Sequence, residues 1–238
     1  MQQLPIALKL STDKTFDNFV IGSNGLLVRQ LHHLAAGHGE NVMIMWGATG
    51  TGCTHLLHAT CCLAFDNGLR ASYLSLQEAA LTPAVLDDLE SLDVVCIDDI
   101  DVIAGQLTWE VALFHLYNRM QTQQKHLVIA LHQTLAKMPL LLPDLHSRLQ
   151  AGLSFQLQEL TDSEKIAVLQ QHAYERGLDL TQEVAEFLLK RCRRDLQTLL
   201  DVLLQLDSAS LSQQRRLTIP FIRRVLALPT NFSYKKLN

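Results

Sequence analysis

Gly47-Ala48-Thr49-Gly50-Thr51-Gly52-Cys53-Thr54 is a glycine-rich segment that follows the apolar run Val42–Trp46 and leads into a helix-like stretch. A strand, a glycine-rich turn and a helix in this order form the context of a phosphate-binding loop. The glycines allow backbone N–H groups to close around phosphate oxygens, and the helix N-terminus attracts the anion. The segment therefore predicts a nucleotide-binding α/β domain. The candidate phosphate contacts lie in the loop and the first helical turn: Gly47, Thr49, Gly50, Thr51, Gly52, Cys53, Thr54 and His55.

The loop lacks the lysine that follows the last glycine in the working motif, because that position carries Cys53. A hydrogen bond to a charged group contributes roughly 1.5–3 kcal/mol, so a neutral thiol predicts nucleotide binding that is weakened about 10- to 100-fold. Hydrolysis suffers more, since charge develops on the γ-phosphate in the transition state. The sequence thus predicts a nucleotide site and argues against intrinsic ATPase activity. A glycine-rich turn without a ligand is the alternative.

A second apolar run, over 94–97, ends in Asp98 and Asp99. This pattern predicts a buried parallel strand with carboxylates at its C-terminal edge. A carboxylate in that place can hold Mg²⁺ beside a bound nucleotide, directly or through water. Asp98 and the loop residue Thr54 are the candidates for the metal, and Asp99 is the candidate for orienting a water molecule. For the acidic run alone a solvated strand end is the alternative, but the loop favours the nucleotide interpretation.

Composition limits the remaining possibilities. The chain has 238 residues, 48% hydrophobic and 18% charged, and a net charge of −4, which argues against disorder and against strong whole-chain attraction to nucleic acid. No apolar run approaches the ~20 residues of a membrane helix, and the N-terminus lacks a signal pattern. Five cysteines without a CxxC pair predict a reducing, cytoplasmic compartment. His55, His58 and Cys62 share a helical face, where core packing is a better interpretation than zinc ligation.

Strands and helices alternate up to about residue 158, which predicts a three-layer α/β sandwich with a mainly parallel sheet. Strands are predicted over 42–46, 71–76, 94–98, 127–131 and 153–157, and helices over 54–65, 83–89 and 108–123. A small all-helical domain follows, with helices over 162–176, 181–191, 194–209 and 219–226. Thr161 and Glu164 offer capping groups for the first of these. The predicted organisation is a tail over 1–12, the α/β domain over 13–158, the helical domain over 159–228 and a tail over 229–238.

Several ordered segments resemble the AAA+ domain of the bacterial replication initiator DnaA. They comprise its opening signature at 15–24, its Walker B strand at 97–101, its arginine-finger box at 145–149, its sensor II helix at 194–199 and the closing segment of its lid at 217–222. The resemblance covers residues 13–228, and it implies an AAA+ fold in which the helical domain is the lid.

Within this family the chain is similar to the DnaA-related regulatory inactivators of the Hda group, which consist of an AAA+ domain and a short tail. The segment 141–149 and the pair Trp109-Glu110 with 116–119 are closer to that group than to DnaA. Few residues precede Lys14, and the chain ends about ten residues after the lid. We therefore expect neither a helicase-contacting domain nor a helix-turn-helix domain that reads DNA.

The resemblance implies roles for individual residues. Arg148 is the arginine finger, presented in trans to ATP bound by DnaA, and Arg194 contacts the phosphates of the chain's own nucleotide from the lid. That nucleotide is ADP or another nucleoside diphosphate, with or without Mg²⁺. The base is walled by the apolar residues of the opening signature, Phe19, Val20 and Ile21, with Asn24 as a weaker candidate. The alternatives for Arg148 are an ion pair with Asp144 or a charge at a helix C-terminus. A solvated basic cluster is the alternative for Arg194.

The N-terminal segment resembles a peptide that binds the DNA polymerase III sliding clamp (the beta subunit). Its candidate contacts are a glutamine and spaced apolar residues: Gln3, Leu4, Ile6 and Leu8. An extended segment of this kind can also pair with a sheet edge. The implied partners are the clamp and DnaA, with DNA reached only through the loaded clamp and no membrane. Localisation is expected to be cytoplasmic, at the nucleoid or replisome, and a homo-oligomer remains open.

Two other function classes remain open. The first is a degenerate or self-sufficient AAA+ ATPase, such as a helicase-loader-like replication factor, against which Cys53 argues. The second is a DNA-binding regulator, for which the only basic stripe is Arg215, Arg216, Arg223 and Arg224. Neither class explains the N-terminal segment. His132, in place of the small polar residue usual at the sensor I position of the family, also argues against ATPase activity.

Overall fold

The computed structural model describes residues 14–78, 80–213 and 217–226, and the side chains of 211–213 are not part of that description. The predicted clamp-binding residues Gln3, Leu4, Ile6 and Leu8 therefore lie outside the described residues, as do Arg215 and Arg216. The chain divides into two compact units, with the first ending at Glu159 and the second beginning at Leu160.

The first unit is built on a parallel sheet of five strands in the order β2-β3-β4-β1-β5. The strands are β1 (Val42–Trp46), β2 (Ala71–Ser75), β3 (Val94–Asp98), β4 (His126–Leu131) and β5 (Leu153–Gln156). Strands β3 and β4 are buried along their whole length, as their continuous apolar sequences require. The predicted parallel sheet is confirmed, and its order places the C-terminal ends of β1, β3 and β4 side by side.

Helices cover both faces of this sheet. They are α1 (Gly25–Ala35), α2 (Cys53–Asp66), α3 (Leu107–Thr122) and α4 (Pro143–Ala151). One apolar core joins α1 and α2 to the sheet, and it includes Leu31, Leu57 and Met43. The other core joins α3 and α4 to the opposite face, and it includes Leu116 and Leu145. The three-layer sandwich predicted from the sequence is therefore confirmed.

The second unit is helical over its described residues. Its helices are α5 (Asp162–Glu175), α6 (Gln182–Arg191), α7 (Leu196–Gln213) and α8 (Ile219–Val225). Thr161 and Glu164 form a reciprocal capping box at the start of α5, and the Thr218 hydroxyl accepts a hydrogen bond from the backbone N–H of Phe221 at the start of α8. These local signals explain where α5 and α8 begin.

The prediction of a single helix over 83–89 is wrong. The segment forms two short 3₁₀ turns, Pro83–Leu86 and Leu89–Ser91, because Asp87 is extended and Asp88 adopts a left-handed conformation with φ of 62°. Two helices, α1 and α4, were not predicted.

Candidate functional site

The glycine-rich loop connects the end of β1 to the start of α2 as the sequence predicts. Gly50 and Gly52 have φ of 88° and 110°, a region that side chains rarely adopt. A Cβ on Gly47 would lie 2.6 Å from the Thr51 hydroxyl and 3.1 Å from the backbone oxygen of Leu157. The glycines are thus required by the close approach and the curvature of the loop itself.

The first turn of α2 has the properties of an anion site. No side chain caps this helix end, and the first turn contains no acidic residue. A helix of 14 residues carries roughly half a positive elementary charge at its N-terminus. The loop therefore suits a phosphate group both by its backbone geometry and by the positive electrostatic potential at the helix N-terminus.

The opening segment packs against this loop. A Cβ on Gly52 would lie 2.8 Å from a ring carbon of Phe19, so the aromatic ring lies directly against the last glycine. The Nε2 of His55 lies 2.8 Å from the backbone oxygen of Thr15. The rings of His55 and Phe19 also lie close together, with centroids 5.3 Å apart. His55 thus contacts the opening segment through Nε2, and its role as a phosphate contact stays a prediction.

The other residues predicted to wall the base have different surroundings. Val20 is partly buried, and Ile21 is 45% exposed, which leaves it available to a ligand. The side chain of Asn24, the weaker candidate for the base, is buried and forms hydrogen bonds with the backbone of Gln158 through both of its polar atoms. Its Nδ2 donates to the Gln158 oxygen at 3.1 Å, and its Oδ1 accepts from the Gln158 N–H at 2.8 Å. Asn24 therefore fixes the fold beside the site.

Cys53 is buried beneath the loop. Burial is the main cause that raises the pKa of its thiol to about 12, and Asp98 adds to the effect. Its Sγ lies 3.8 Å from the Thr51 hydroxyl. The thiol is therefore protonated at neutral pH, and the lowered pKa that a helix N-terminus can produce does not occur here.

Asp98 is the centre of a hydrogen-bond network at the end of β3. Its side chain is 1% exposed. Its Oδ2 accepts from the hydroxyl of Thr54 at 2.7 Å and from the hydroxyl of Tyr73 at 3.1 Å. Its Oδ1 accepts from the backbone N–H of Asp99 at 3.0 Å. Burial raises the pKa of Asp98 above its ordinary value, and the hydrogen bond from Thr54 opposes that shift.

Asp99 is fully engaged by neighbouring side chains. Its Oδ2 accepts from the Ser75 hydroxyl at 2.8 Å, and its Oδ1 accepts from Gln77 Nε2 at 3.0 Å. The Nε2 of His132 lies 2.7 Å from the same Oδ1. Three neighbouring groups therefore contact the Asp99 carboxylate, which has about four acceptor positions, and the role of Asp99 in orienting a water molecule stays a prediction.

Tyr73, Ser75 and Gln77 are site residues that the sequence did not indicate. All three lie on or just after β2, which pairs with β3 in a register that sets Ser75 opposite Asp98. Only the strand order brings them to the carboxylates. Desolvation and the charge of Asp98 raise the pKa of the Tyr73 hydroxyl well above its usual range, so it stays a hydrogen-bond donor.

The histidines of α2 have packing roles. His58 is buried and stacks on Tyr73, with ring centroids 4.0 Å apart. Among the described residues, no group of three or more His, Cys, Asp or Glu side chains has an arrangement suited to a metal ion. Thr54 and Asp98, the residues predicted beside Mg²⁺, bind each other in this structure.

Arg148 lies in the last turn of the nine-residue helix α4 and is exposed. Within the described part of the chain it forms no ion pair, so the alternative pairing with Asp144 does not occur. Its charge acts on the buried hydroxyl of Tyr117, whose pKa is raised by burial and lowered to a smaller extent by Arg148. Leu145 and Leu149 of the same helix are fully buried and anchor α4 in the core.

Arg194 belongs to the second unit, before α7. Its guanidinium lies 3.6 Å from the carboxylate of Asp162, and both side chains are more than half exposed. Such an exposed pair contributes little to stability, so Arg194 can exchange this partner for another anion at low cost.

Two family models match this chain, one on each unit. The bacterial DnaA ATPase domain matches residues 10–156, and the Hda lid domain matches residues 162–226. The chain belongs to the DnaA-related AAA+ family. The lid match makes it an Hda-like member, as the resemblance of its sequence motifs predicts. Family membership places this Hda-like protein in DNA replication.

Solved structures agree with this Hda-like fold. Domain III of DnaA from Thermotoga maritima has a TM-score of 0.77 and 22% identity, covering 91% of this chain and 96% of that one. AMPPCP-bound DnaA from Aquifex aeolicus has a TM-score of 0.71 and 22% identity, covering 85% and 67%. A Thermotoga maritima RuvB mutant has a TM-score of 0.71 and 18% identity, covering 90% and 72%. At these identities the similarity establishes the AAA+ fold alone. No helix in the described part of the Hda-like chain is long and apolar enough to cross a membrane.

Proposed function

We propose that this protein is a regulatory inactivator of DnaA. In this proposal its N-terminal tail binds the sliding clamp on DNA, and Arg148 acts in trans on ATP bound by DnaA. Hydrolysis then leaves DnaA in its ADP form and prevents a second initiation of chromosome replication. The match of the second unit to the Hda lid supports assignment to this group rather than to the initiators.

The geometry of Arg148 is the observation that carries the proposal. An arginine finger must present a guanidinium to a phosphate on another protein, so it has to be exposed and available. Arg148 meets both conditions, since it is exposed and has no ion-pair partner among the described residues. Its helix is anchored in the core by Leu145 and Leu149, which limits the freedom that the guanidinium would lose on binding.

The chain's own nucleotide has a supporting role in the proposal. A related DnaA is bound to AMPPCP, and the loop at 47–54 offers an uncapped helix end and a glycine cradle for phosphate. The neutral Cys53 and the engaged Asp99 both disfavour hydrolysis at this site. We therefore propose that ADP binds as a structural ligand, with Arg194 as a phosphate contact from the lid.

Mg²⁺ fits this site with one restriction. Thr54 and Asp98 would hold the ion, and Mg²⁺ would neutralise phosphate charge that the absent lysine leaves uncompensated. The Asp98 oxygen that faces Thr54 already accepts hydrogen bonds from two hydroxyls. The residues therefore favour contact of Asp98 with the ion through water.

The clamp would supply proximity rather than chemistry. Gln3, Leu4, Ile6 and Leu8 would bind the clamp, which raises the effective concentration of the AAA+ domain near DnaA on the same DNA. This arrangement predicts that removal of the tail lowers stimulation at low protein concentration and that high concentration restores it. The proposed site of action is the replisome on the nucleoid.

The test is hydrolysis of ATP pre-bound to DnaA, measured with DNA-loaded clamp and increasing amounts of this protein. Arg148→Ala should lower the stimulated rate by about 10³-fold or more, the usual range for an arginine finger, while clamp binding stays unchanged. A form lacking residues 1–8 should lose clamp binding but keep stimulation at high concentration. Arg29→Ala, which removes another exposed arginine of the first unit, is the matched control and should behave as wild type.

Stimulation that persists in Arg148→Ala would contradict the finger assignment. Absence of stimulation by the folded wild-type chain would overturn the inactivator role as a whole. If Arg148→Ala loses clamp binding but keeps the thermal unfolding transition of the wild type, the variant is folded and Arg148 lies in the clamp interface.

A further inference from the structure

Glu110 is a buried carboxylate in the first turn of α3. Its side chain is 0% exposed. It accepts three backbone hydrogen bonds: Oε1 accepts from the N–H of Gly105 at 2.8 Å, and Oε2 accepts from the N–H groups of Leu141 and Leu142 at 2.8 and 2.7 Å. Among the described residues no basic side chain pairs with it. Backbone dipoles alone therefore compensate a fully buried acidic group.

The backbone groups that Glu110 binds lie directly before α4. Leu142 is the residue that flanks the helix start, and its own side chain provides no cap. Pro143 follows as the first helical residue, and Arg148 lies in the last turn. Glu110 thus fixes the point at which the chain enters the helix that carries the proposed arginine finger.

The other oxygen of Glu110 binds the segment that follows β3. Gly105 comes after the turn Ile100–Ile103, in which the Asp101 carboxylate accepts from the backbone N–H of His132 at 2.7 Å. His132 in turn contacts Asp99. One carboxylate therefore ties the segment beyond the acidic strand end to the entrance of α4.

A buried carboxylate is an expensive way to join two loops, because ionisation away from water is unfavourable. Apolar side chains would pack these loops without that cost, but they would not fix backbone directions. Charge-assisted hydrogen bonds to N–H groups are short and directional. A buried carboxylate that accepts such hydrogen bonds is suited to fixing the position of a helix, which apolar packing alone would not do.

We propose that Glu110 is the positioning residue for Arg148. It holds the entrance of α4 so that the guanidinium meets the nucleotide of the partner protein at the distance needed for the transition state. The inference rests on the proposed function, and it adds a residue that does not itself touch the nucleotide. A displacement of about 1 Å in such a group can lower a rate about 100-fold.

The test compares Glu110→Gln with Glu90→Gln in the stimulated hydrolysis assay on the full chain with loaded clamp. Glu90 is a suitable control because it pairs with Arg119 of the same helix α3 and makes no contact with the entrance of α4. We expect Glu110→Gln to lower the rate at saturating protein about 10- to 100-fold and to leave the half-saturating concentration unchanged. A normal maximal rate with a raised half-saturating concentration would overturn the inference, since it would place Glu110 in binding.

A double-mutant cycle separates positioning from an independent role. If Glu110 acts through Arg148, Glu110→Gln should have no further effect on the residual rate in an Arg148→Ala background. An equal fold-loss in both backgrounds would overturn the inference, because it would mean that Glu110 acts without Arg148.

Hydrogen exchange gives a readout that does not depend on the proposed function. Glu110→Gln should accelerate exchange in a peptide covering 139–151, whereas Glu90→Gln should leave that peptide unchanged. If the wild-type chain fails to stimulate hydrolysis, the proposed function fails and this exchange result still decides whether Glu110 fixes α4. Unchanged exchange in Glu110→Gln would overturn the positioning role.

Discussion

Cys53 shows how a single position can change what a phosphate-binding loop does. The backbone of the loop keeps the curvature that phosphate requires, with positive φ at Gly50 and Gly52. The side chain that should reach the phosphates is instead a buried, protonated thiol. Backbone dipoles remain available to the ligand, but the mobile positive charge does not. The loop can therefore serve as a binding cradle without the charge needed for catalysis.

Cys53→Lys should strengthen nucleotide binding without creating an ATPase. The ammonium would add a charged hydrogen bond of roughly 1.5–3 kcal/mol, so the affinity for ADP should rise about 10- to 100-fold. Intrinsic ATP turnover should stay near background, because Ser75, Gln77 and His132 still occupy Asp99. Titration with a fluorescent ADP analogue and a turnover assay measure the two quantities.

Cys53→Ala is the control for that substitution, because it removes the thiol without adding charge. Its affinity for ADP should stay within about twofold of the wild-type value. A rise in turnover without a rise in affinity would contradict the assignment of Asp99 as engaged. Equal affinity in the lysine and alanine variants would show that the side chain at position 53 does not reach the phosphates.

The sequence predicted the identity of the acidic pair but not its chemistry. Asp98 and Asp99 were evident because a buried apolar strand ends in them. Their partners come from α2, from β2 and the residues after it, and from the residue after β4, all of which are separated in sequence from β3. Hydrogen-bond saturation depends on strand order and register, which a pattern of residues along one strand does not contain. The sequence therefore could not show that three neighbouring groups contact Asp99.

At the scale of elements, one carboxylate joins the starts of three strands. Asp93, just before β3, lies 2.5 Å from Lys125 Nζ, just before β4. It also accepts from the backbone N–H of Arg70, just before β2, at 2.9 Å and lies 3.3 Å from the Arg70 side chain. The hydrogen bond from Lys125 is the main cause that holds the pKa of Asp93 well below its ordinary value of 3.8.

Asp93→Asn should lower the free energy of unfolding by about 1–2 kcal/mol at pH 7, because the Arg70 side of the cluster is solvated and contributes little. The folded chain binds a proton at Asp93 less readily than the unfolded chain does. The stabilisation is therefore complete above pH 3.8 and is lost as the pH falls through the lowered folded pKa. Urea unfolding between pH 7 and pH 2 measures the difference, because most of the loss occurs below pH 3.

The exposed residue Asp87, which has no ion-pair partner among the described residues, supplies the control for this prediction. Asp87→Asn should have nearly the same free energy of unfolding as the wild type across the same pH range. A loss of stability in Asp93→Asn, relative to wild type, that stays constant down to pH 2 would show that shape rather than charge explains the contribution of Asp93.

Some elements of this fold can be predicted from the sequence and others cannot, for physical reasons. The strands were predictable because buried parallel strands are continuous apolar runs with few other uses. Helix α4 was missed because it has only nine residues and a mixed composition, and its start is set by Glu110 from another helix. The segment over 83–89 has helix-like composition, but the left-handed Asp88 interrupts it. The local sequence pattern does not predict secondary structure correctly where a contact distant in sequence, or a single backbone dihedral angle, determines it.

At the scale of the whole molecule, the two units keep separate cores within the described residues. The core of the second unit is built from α5 to α8 and adjoining segments, with Leu188, Leu199 and Ile222 fully buried. The two cores of the first unit lie on the faces of its sheet. The phosphate-binding loop and Arg148 both belong to the first unit. The residues proposed to act on DnaA-bound ATP and to form the phosphate-binding loop therefore rest on the cores of the first unit.

Leu188→Ala should open the second unit without unfolding the first. Removal of a fully buried leucine costs about 2–5 kcal/mol, and Leu188 belongs to the core of the second unit. Hydrogen exchange should accelerate across 162–213 while protection of β1, β3 and β4 stays at the wild-type level. Leu204→Ala, at a half-exposed position of the same unit, is the control and should change exchange little. Equal loss of protection in both units after Leu188→Ala would mean that they fold as one cooperative structure, and the lid would then act as a determinant of the site in the first unit.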